Sequence, residues 1–148
     1  MKTAIVILNW NTEGFLDRFL PPLLSSVRDI DGAEVIVADN ASTDGSLRLL
    51  KEKFPHVRTI AFDRNYGFTG GYNRALREIE ADYYVLINSD IEVRSGWLEP
   101  MITWMENNPD CGACAPKLYS WHDKTKFEYA GGAGGHIDSY GYTFCRGR

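Results

Sequence analysis

Cysteine is scarce: the 148 residues hold three, Cys111, Cys114 and Cys145, which do not make a disulfide framework. Long apolar runs are missing too. Nothing approaches the ~18 consecutive apolar residues of a membrane span, and the opening run, Ala4 to Leu8, is too short for the apolar core of a secretion signal. Runs of basic residues are absent. Sixteen Lys and Arg against twenty Asp and Glu leave a net charge of −4, with no cationic stripe for a nucleic-acid backbone. No His pair stands near Cys111-x-x-Cys114, so that motif reads as two small apolar residues rather than half a zinc site. His56 and His136 stand alone. These absences exclude a disulfide-stapled module, a membrane span and a nucleic-acid partner. They leave a soluble, cytosolic domain that local dipoles still equip to bind a small anion.

What is present is ordinary globular material, 44% apolar and 24% charged. A chain of this length suits one domain, and folding can bury roughly 70% of the surface it exposes when unfolded. Strand and helix patterns alternate. Residues 3 to 8 form a solid apolar run, suited to a strand buried on both faces. Leu16, Phe19, Leu20, Leu23, Leu24 and Val27 recur at helical spacing, with Pro21-Pro22 predicting a kink or two short helices. "AEVIVAD" is a second strand, and Leu47, Leu50 and Phe54 mark a helix that Ser42 or Asp44 caps. "VRTIAF" follows as a strand, then a helix striped by Tyr72, Ala75, Leu76 and Ile79, then the strand "YYVLIN". Trp97, Leu98, Met101, Ile102 and Met105 line a last helix, capped by Ser95 and stopped at Asn108-Pro109, with Trp97 and Trp104 in the core. "CGACAPKL" reads as a fifth strand, and the Gly- and Tyr-rich sequence after residue 120 as loop.

Such alternation predicts right-handed β-α-β units and a mostly parallel sheet. Ligands of these sheets sit beyond the carboxyl ends of the strands. Four of those ends carry polar clusters: Asn9-Trp10-Asn11, Asp39 to Asp44, Asp63 to Gly67, and Asn88-Ser89-Asp90. All four are expected along one edge.

Each cluster has a functional reading and a plainer one. Asp39, at a strand tip, suits the imide N–H of a nucleobase, while Ser42 and Asp44 suit turn amides and the next helix. Gly67, Gly70 and Gly71 in "RNYGFTGGYN" either let backbone approach a phosphate or make a tight turn. No G-K-[ST] follows, and the G-x-G-x-x-G spacing is absent. Asp90 is placed to hold Mg²⁺ or Mn²⁺, hard cations that need one or two carboxylates when a substrate's phosphates complete the shell. Equally, it caps the next segment or pairs with Arg94. Trp10 lies at the same edge, where it could stack on a base or sugar.

Taken in order, "VILNWN", "VIVADNASTDGS", "NYGFTGGYN" and "YVLINSDIEV" resemble the nucleotide-sugar glycosyltransferases of family 2, in particular their rhamnosyltransferase-like branch. The tail "GGAGGHIDSYGYTFCRGR" resembles a segment of the same branch, so the likeness covers the chain. The resemblance implies an α/β, Rossmann-like GT-A domain over residues 1–148, the N-terminal part of a longer catalytic domain. It implies a nucleotide-sugar site built from Asn9, Asn11, Asp39, Asn40, Ser42, Asn65, Gly67, Gly70, Asn73, Asn88, Ser89 and Asp90. Within it Asp39 would bind the donor pyrimidine and Asp90 would hold Mn²⁺ or Mg²⁺ on the diphosphate. Asn88 stands where the family's D-x-D pattern begins with an acid; its amide can still bond a ribose hydroxyl.

The implied activity is transfer of a sugar, with inversion, from a UDP- or dTDP-sugar to a saccharide or lipid-linked acceptor in bacterial surface-polysaccharide synthesis. It would act in the cytoplasm or at the inner face of the membrane. The family's general base comes from a later segment, expected beyond Arg148; Glu128 and Asp138 are the late acids present, and nothing ties either to that role. Two rivals stand: a sugar-phosphate nucleotidyltransferase, whose Gly- and Arg-rich first loop has no counterpart in "NWNTEGF", and a non-catalytic nucleotide-binding module.

Overall fold

The computed structural model describes residues 1–129 and 132–146. Ala130, Gly131, Gly147 and Arg148, which include both ends of the tail likened above to the rhamnosyltransferase branch, lie outside them. The chain divides into two compact units, Met1–Trp97 and Leu98–Arg148.

The first unit alternates as its hydrophobic pattern predicts. In order come β1 (Thr3–Asn9), α1 (Glu13–Val27), β2 (Ala33–Asp39), α2 (Ser46–Lys53), β3 (Arg58–Ala61), α3 (Gly67–Arg77) and β4 (Tyr83–Ile87). The four strands form one sheet in the order β3-β2-β1-β4, every pairing parallel. Successive side chains of a strand point to opposite faces. On one face Ala4, Val6, Ile36, Ala38 and Ile60 pack with Tyr72, Ala75 and Ile79 of α3. Ile5, Ile7, Val35 and Val37 are left for the other face, and α1 contacts β2.

Helix α1 runs unbroken through Pro21 and Pro22, where a kink or two short helices were expected. A proline inside a helix costs about 3 kcal/mol, while each buried Leu, Phe or Val contributes about 1.5–3 kcal/mol. Leu16, Phe19, Leu20, Leu23 and Val27 are all buried, and burial outweighs the two prolines. Both prolines lie on the exposed side of the helix, as do Asp17 and Arg18, whose carbonyls lose their helical donors there.

Strand β4 is an edge strand with Tyr84 and Leu86 exposed. One other expectation shifts in this unit. Trp97 is half-buried, its Nε1 donating to Ser26 Oγ at 3.1 Å.

The second unit departs further from the sequence reading. It contains α4 (Leu98–Asn107), β5 (Gly135–Ile137) and β6 (Thr143–Cys145). Only Leu98 of α4 is buried, and Trp104, expected in the core, is exposed. The expected fifth strand over 111–118 does not form. An apolar segment becomes a strand only with a ladder to join; this one carries Gly112 and Pro116, and 112–117 are exposed. The tail, expected as loop, instead holds an antiparallel hairpin of β5 and β6. Asp138 sets its turn, Oδ1 accepting from the N–H groups of Tyr140 and Tyr142 at 2.9 Å each. All three cysteines are free thiols. No helix among the described residues is long and apolar enough to cross a membrane.

Candidate functional site

Strands β1 and β2 stay in register to their last residues, which sets Asn9 beside Asp39 at the carboxyl edge of the sheet. Both side chains are fully buried, at 0% exposure. A buried carboxylate is tolerated only when donors surround it. Asp39 has two: Asn9 Nδ2 at 2.7 Å from Oδ1, and the Ser42 N–H at 2.9 Å from Oδ2. The second amide proton of Asn9 reaches Ser42 Oγ at 3.0 Å. The opposite end of that amide is therefore an acceptor, and the Thr12 hydroxyl donates to it. Thr12 Oγ1 lies 2.9 Å from Ser89 Oγ. An unbroken polar chain thus joins the tip of β2, the tip of β1, the turn before α1 and the residue preceding Asp90.

This arrangement corrects one expectation. Asp39 has no surface from which to meet a base directly, because both of its oxygens turn inward to Asn9 and Ser42. Its work here is to orient the loops around it.

The loops after β1 and β2 are laced to each other. The Asn11 N–H donates to Ser42 Oγ at 3.0 Å, and Asn11 Oδ1 accepts from the Thr43 N–H at 2.7 Å. Asn11 and Ala41 hold positive φ, 54° and 61°, a conformation that costs an L-residue roughly 1–2 kcal/mol. Such strain persists only where surrounding bonds over-determine the backbone, and the Asn9, Asn11 and Ser42 bonds do so here.

Asp44 ties the same two loops from outside. Its Oδ1 accepts from the Ser46 N–H at 2.9 Å and its Oδ2 from the Glu13 N–H at 3.0 Å. One carboxylate therefore serves the N-termini of both α2 and α1, neither of which has a side-chain cap from its own N-cap residue. Ser42, the other capping residue considered, is used on Asn9 and Asn11 instead. Partial burial pushes the Asp44 carboxyl up, but the hydrogen bonds from Ser46 and Glu13 outweigh it and hold it below the usual carboxylate range. A depressed folded value stabilises the protein above the unfolded value, near pH 4, and that stability is lost as pH falls through the folded one. Asp44→Ala should cost roughly 0.5–2 kcal/mol at neutral pH, as lost caps do. Its penalty should shrink below about pH 4; urea melts of both proteins from pH 7 to 3 measure this.

A second cluster organises the turn into α3. Asn40 is almost fully buried; its Oδ1 accepts from the Tyr66 N–H at 2.9 Å, and its Nδ2 donates to Asn65 Oδ1 at 3.0 Å and the Gly67 carbonyl at 3.1 Å. Gly67 sits at φ 70°, where glycine is unstrained. At Gly71 a Cβ would lie 2.8 Å from Leu8 Cδ1 and 3.2 Å from Asn40 Nδ2. The backbone therefore explains both glycines as a turn and a close helix-to-strand contact. Beside this turn the guanidinium groups of Arg64 and Arg74 stand 4.9 and 4.4 Å from the Tyr66 ring centre, placing positive charge at the edge of an acidic chain.

Asn88 and Asp90 are exposed and Ser89 partly buried. The Asn88 carbonyl accepts from the Ile91 N–H at 3.4 Å, which closes a turn around Ser89 and Asp90. Asp90 makes no hydrogen bond or ion pair among the described residues, so neither the cap nor the Arg94 pair weighed above is formed. The structure thus brings Asn9, Asn11, Asp39, Ser42 and Ser89 into one network and Asn40, Asn65 and Gly67 into another. It leaves Gly70 and Asn73 exposed on α3 and Trp10 exposed at the sheet edge. Thr12 is the connecting residue that the sequence did not single out; it reads there only as one more residue before a helix.

Residues 4–138 match the Glycosyl transferase family 2 pattern. The chain belongs to that family. It is 25% identical over 126 residues to the N-acetylglucosaminyl-diphospho-decaprenol L-rhamnosyltransferase of Mycobacterium tuberculosis, covering 77% of this chain and 40% of that protein. Among solved structures it resembles S. aureus TarS (residues 1–349) in complex with UDP-GlcNAc, at TM-score 0.64 and 18% identity over 81% of this chain and 38% of that one. It also resembles the mannosyltransferase PcManGT of Pyrobaculum calidifontis with GDP-Man and Mn²⁺, at TM-score 0.61 and 20% identity over 80% of this chain and 34% of that one. These likenesses show the fold, the GT-A α/β architecture. The chain spans 40% of the length of that curated relative.

Proposed function

We propose that the carboxyl edge of the sheet binds the nucleoside diphosphate of a sugar donor, as the donor-binding part of an inverting glycosyltransferase. In this reading residues 1–148 are one nucleotide-sugar-binding domain, the N-terminal part of a longer catalytic domain. One observation carries it: Asp90 is exposed and unengaged among the described residues, while the residue before it is tied to the buried Asn9-Asp39 pair. A carboxylate kept free on an anchored turn suits a ligand that brings its own partners.

A divalent cation fits that site only with help. No group of three or more His, Cys, Asp or Glu that could hold a metal exists among the described residues. Mg²⁺ and Mn²⁺ accept one carboxylate when phosphate oxygens and water complete the shell, so Asp90 would hold the cation jointly with the donor diphosphate. When bound, the ion supplies positive charge against the diphosphate that departs. The chain's own part is to place the donor: Asn11 and Ser42 shape the corner beside Asp39 for a pyrimidine, and Asn88 offers an amide to the ribose. Asn65, Gly67, Gly70 and Asn73 border the nucleotide on the α3 side.

The acceptor hydroxyl needs a general base, and each of the two late acids accepts a local hydrogen bond. Glu128 accepts from the Trp121 N–H at 3.3 Å, and Asp138 holds the hairpin turn. The relative that uses a lipid-linked diphosphate supports an acceptor of that kind, presented at the cytosolic face of a membrane for surface-polysaccharide synthesis. The neighbours carrying UDP-GlcNAc and Mn²⁺ support a nucleotide-sugar donor and a metal.

Calorimetric titration with UDP, dTDP and GDP, with and without Mn²⁺, tests this reading. Pyrimidine diphosphates should bind, and bind more tightly with Mn²⁺. A preference for a nucleoside triphosphate with sugar phosphate would mark a nucleotidyltransferase instead, and no binding a module without this chemistry.

A further inference from the structure

We infer that Thr12 is a positioning residue that sets the turn bearing Asp90 by fixing where the proton of Ser89 goes. The inference rests on the reading of Asp90 as the cation ligand.

Hydrogen counting decides the direction. Asn9 commits both amide protons, one to Asp39 Oδ1 and one to Ser42 Oγ. Its Oδ1 can only accept, and Thr12 supplies that proton. A threonine hydroxyl has one proton. The 2.9 Å contact between Thr12 and Ser89 is therefore made by the proton of Ser89. Every donor along this path points toward Asp39, a carboxylate with no surface exposure, and aligned hydrogen bonds of this kind strengthen one another.

Two consequences follow at the donor edge. Ser89 has no proton left for a phosphate oxygen, so it does not compete with a cation for the diphosphate. The turn closed by the 3.4 Å Asn88–Ile91 contact is weak by itself, and the Ser89–Thr12 bond is the described side-chain tie holding it to β1 and α1. Sequence separation underlines the point: Thr12 and Ser89 lie 77 residues apart. Thr12 is the N-cap of α1 yet makes no side-chain cap bond to it. Its hydroxyl is spent on this link.

The test uses the 148-residue chain, UDP and Mn²⁺ as probes, and three variants. Thr12→Val keeps the shape and removes the hydroxyl, Thr12→Ser keeps the hydroxyl, and Ser89→Ala cuts the same link from the other side. The Mn²⁺ enhancement of UDP affinity should fall about three- to tenfold in Thr12→Val and Ser89→Ala, the range one neutral hydrogen bond commands. UDP affinity without metal should stay within about twofold in Thr12→Val, and Thr12→Ser should restore the enhancement. In the protein without metal or nucleotide, amide hydrogen exchange at Ile91 should quicken in Thr12→Val and Ser89→Ala and not in Thr12→Ser. Full Mn²⁺ enhancement in both hydroxyl-lacking variants, or an equal loss with and without metal, overturns the positioning role while leaving the donor reading intact. A parent chain that binds UDP with no Mn²⁺ enhancement overturns both together.

Discussion

Asp90→Ala is expected to remove the Mn²⁺-dependent part of nucleoside diphosphate binding altogether. The carboxylate is exposed and unengaged among the described residues, so no protein bond is broken by its loss. Folding stability should stay within about 0.5 kcal/mol of the parent. With no cluster of three or more acids, His or Cys among the described residues to take over, a cation loses its protein ligand at this edge. Loss of a merely outer-sphere partner costs roughly 10–100-fold in metal affinity, and a direct ligand should cost at least that. Asp90→Asn keeps the size and a neutral oxygen, and should recover little. Paired titrations of UDP with and without Mn²⁺, beside a urea melt, read both quantities. Mn²⁺ enhancement that survives in Asp90→Ala would remove the cation from β4.

Asp39→Ala is expected to do the opposite, striking the fold first. Its removal strips the Ser42 N–H of its partner and Asn9 Nδ2 of one of two. Each buried donor left unpaired costs about 1–3 kcal/mol, so two together cost roughly 2–6 kcal/mol. At this chain length each kcal/mol lowers Tm by about 2–4 °C. Asp39→Asn is the sharper probe, because its new NH₂ group must face a protein N–H and only one of the two bonds survives. It should lose somewhat less stability than alanine. Nucleotide affinity should fall in both, through loops at Asn11 and Ser42 that no longer hold their shape. A melt of Asp39→Ala that coincides with the parent would show that the buried pair does not organise this edge.

The contrast between two carboxylates shows where sequence reasoning reached. Both stand at strand tips, and the alternation of apolar runs placed both strands correctly: β1, β2, β3 and β4 fall where "AIVIL", "AEVIVAD", "VRTIAF" and "YYVLIN" stand. Periodicity reports which way a strand's own side chains face, and α1 to α3 follow from it as well. It does not report whether a side chain at the tip folds back or projects outward. Asp39 folds back because Asn9 lies in register beside it and Ser42 supplies an N–H three residues on. Asp90 does not, because the nearby polar links engage Ser89 instead. Thr12 was illegible for the same reason, its partners lying on β1 and at the end of β4.

The second unit was harder for a different cause. An apolar run such as Cys111 to Leu118 matches a strand as well as a loop, and only a ladder partner decides it. The hairpin after Gly134 is held by Asp138 and by its own short ladder, with no apolar period to announce it. Pro21-Pro22 misled in the reverse direction, since a local rule gave way to five buried side chains.

Because β1 lies between β2 and β4, synthesis leaves it half-paired for a time. The nascent chain can zip β1, β2 and β3 together once Ala61 has emerged. The other border of β1 must wait for Tyr83–Ile87. Over that interval a ribosome carries a strand of bare amides and carbonyls flanked by Ile5, Val6 and Ile7, open to any extended polypeptide it meets. Chaperone demand during translation should concentrate there, and the turn that carries Asp90 is among the last parts of the sheet edge to take shape.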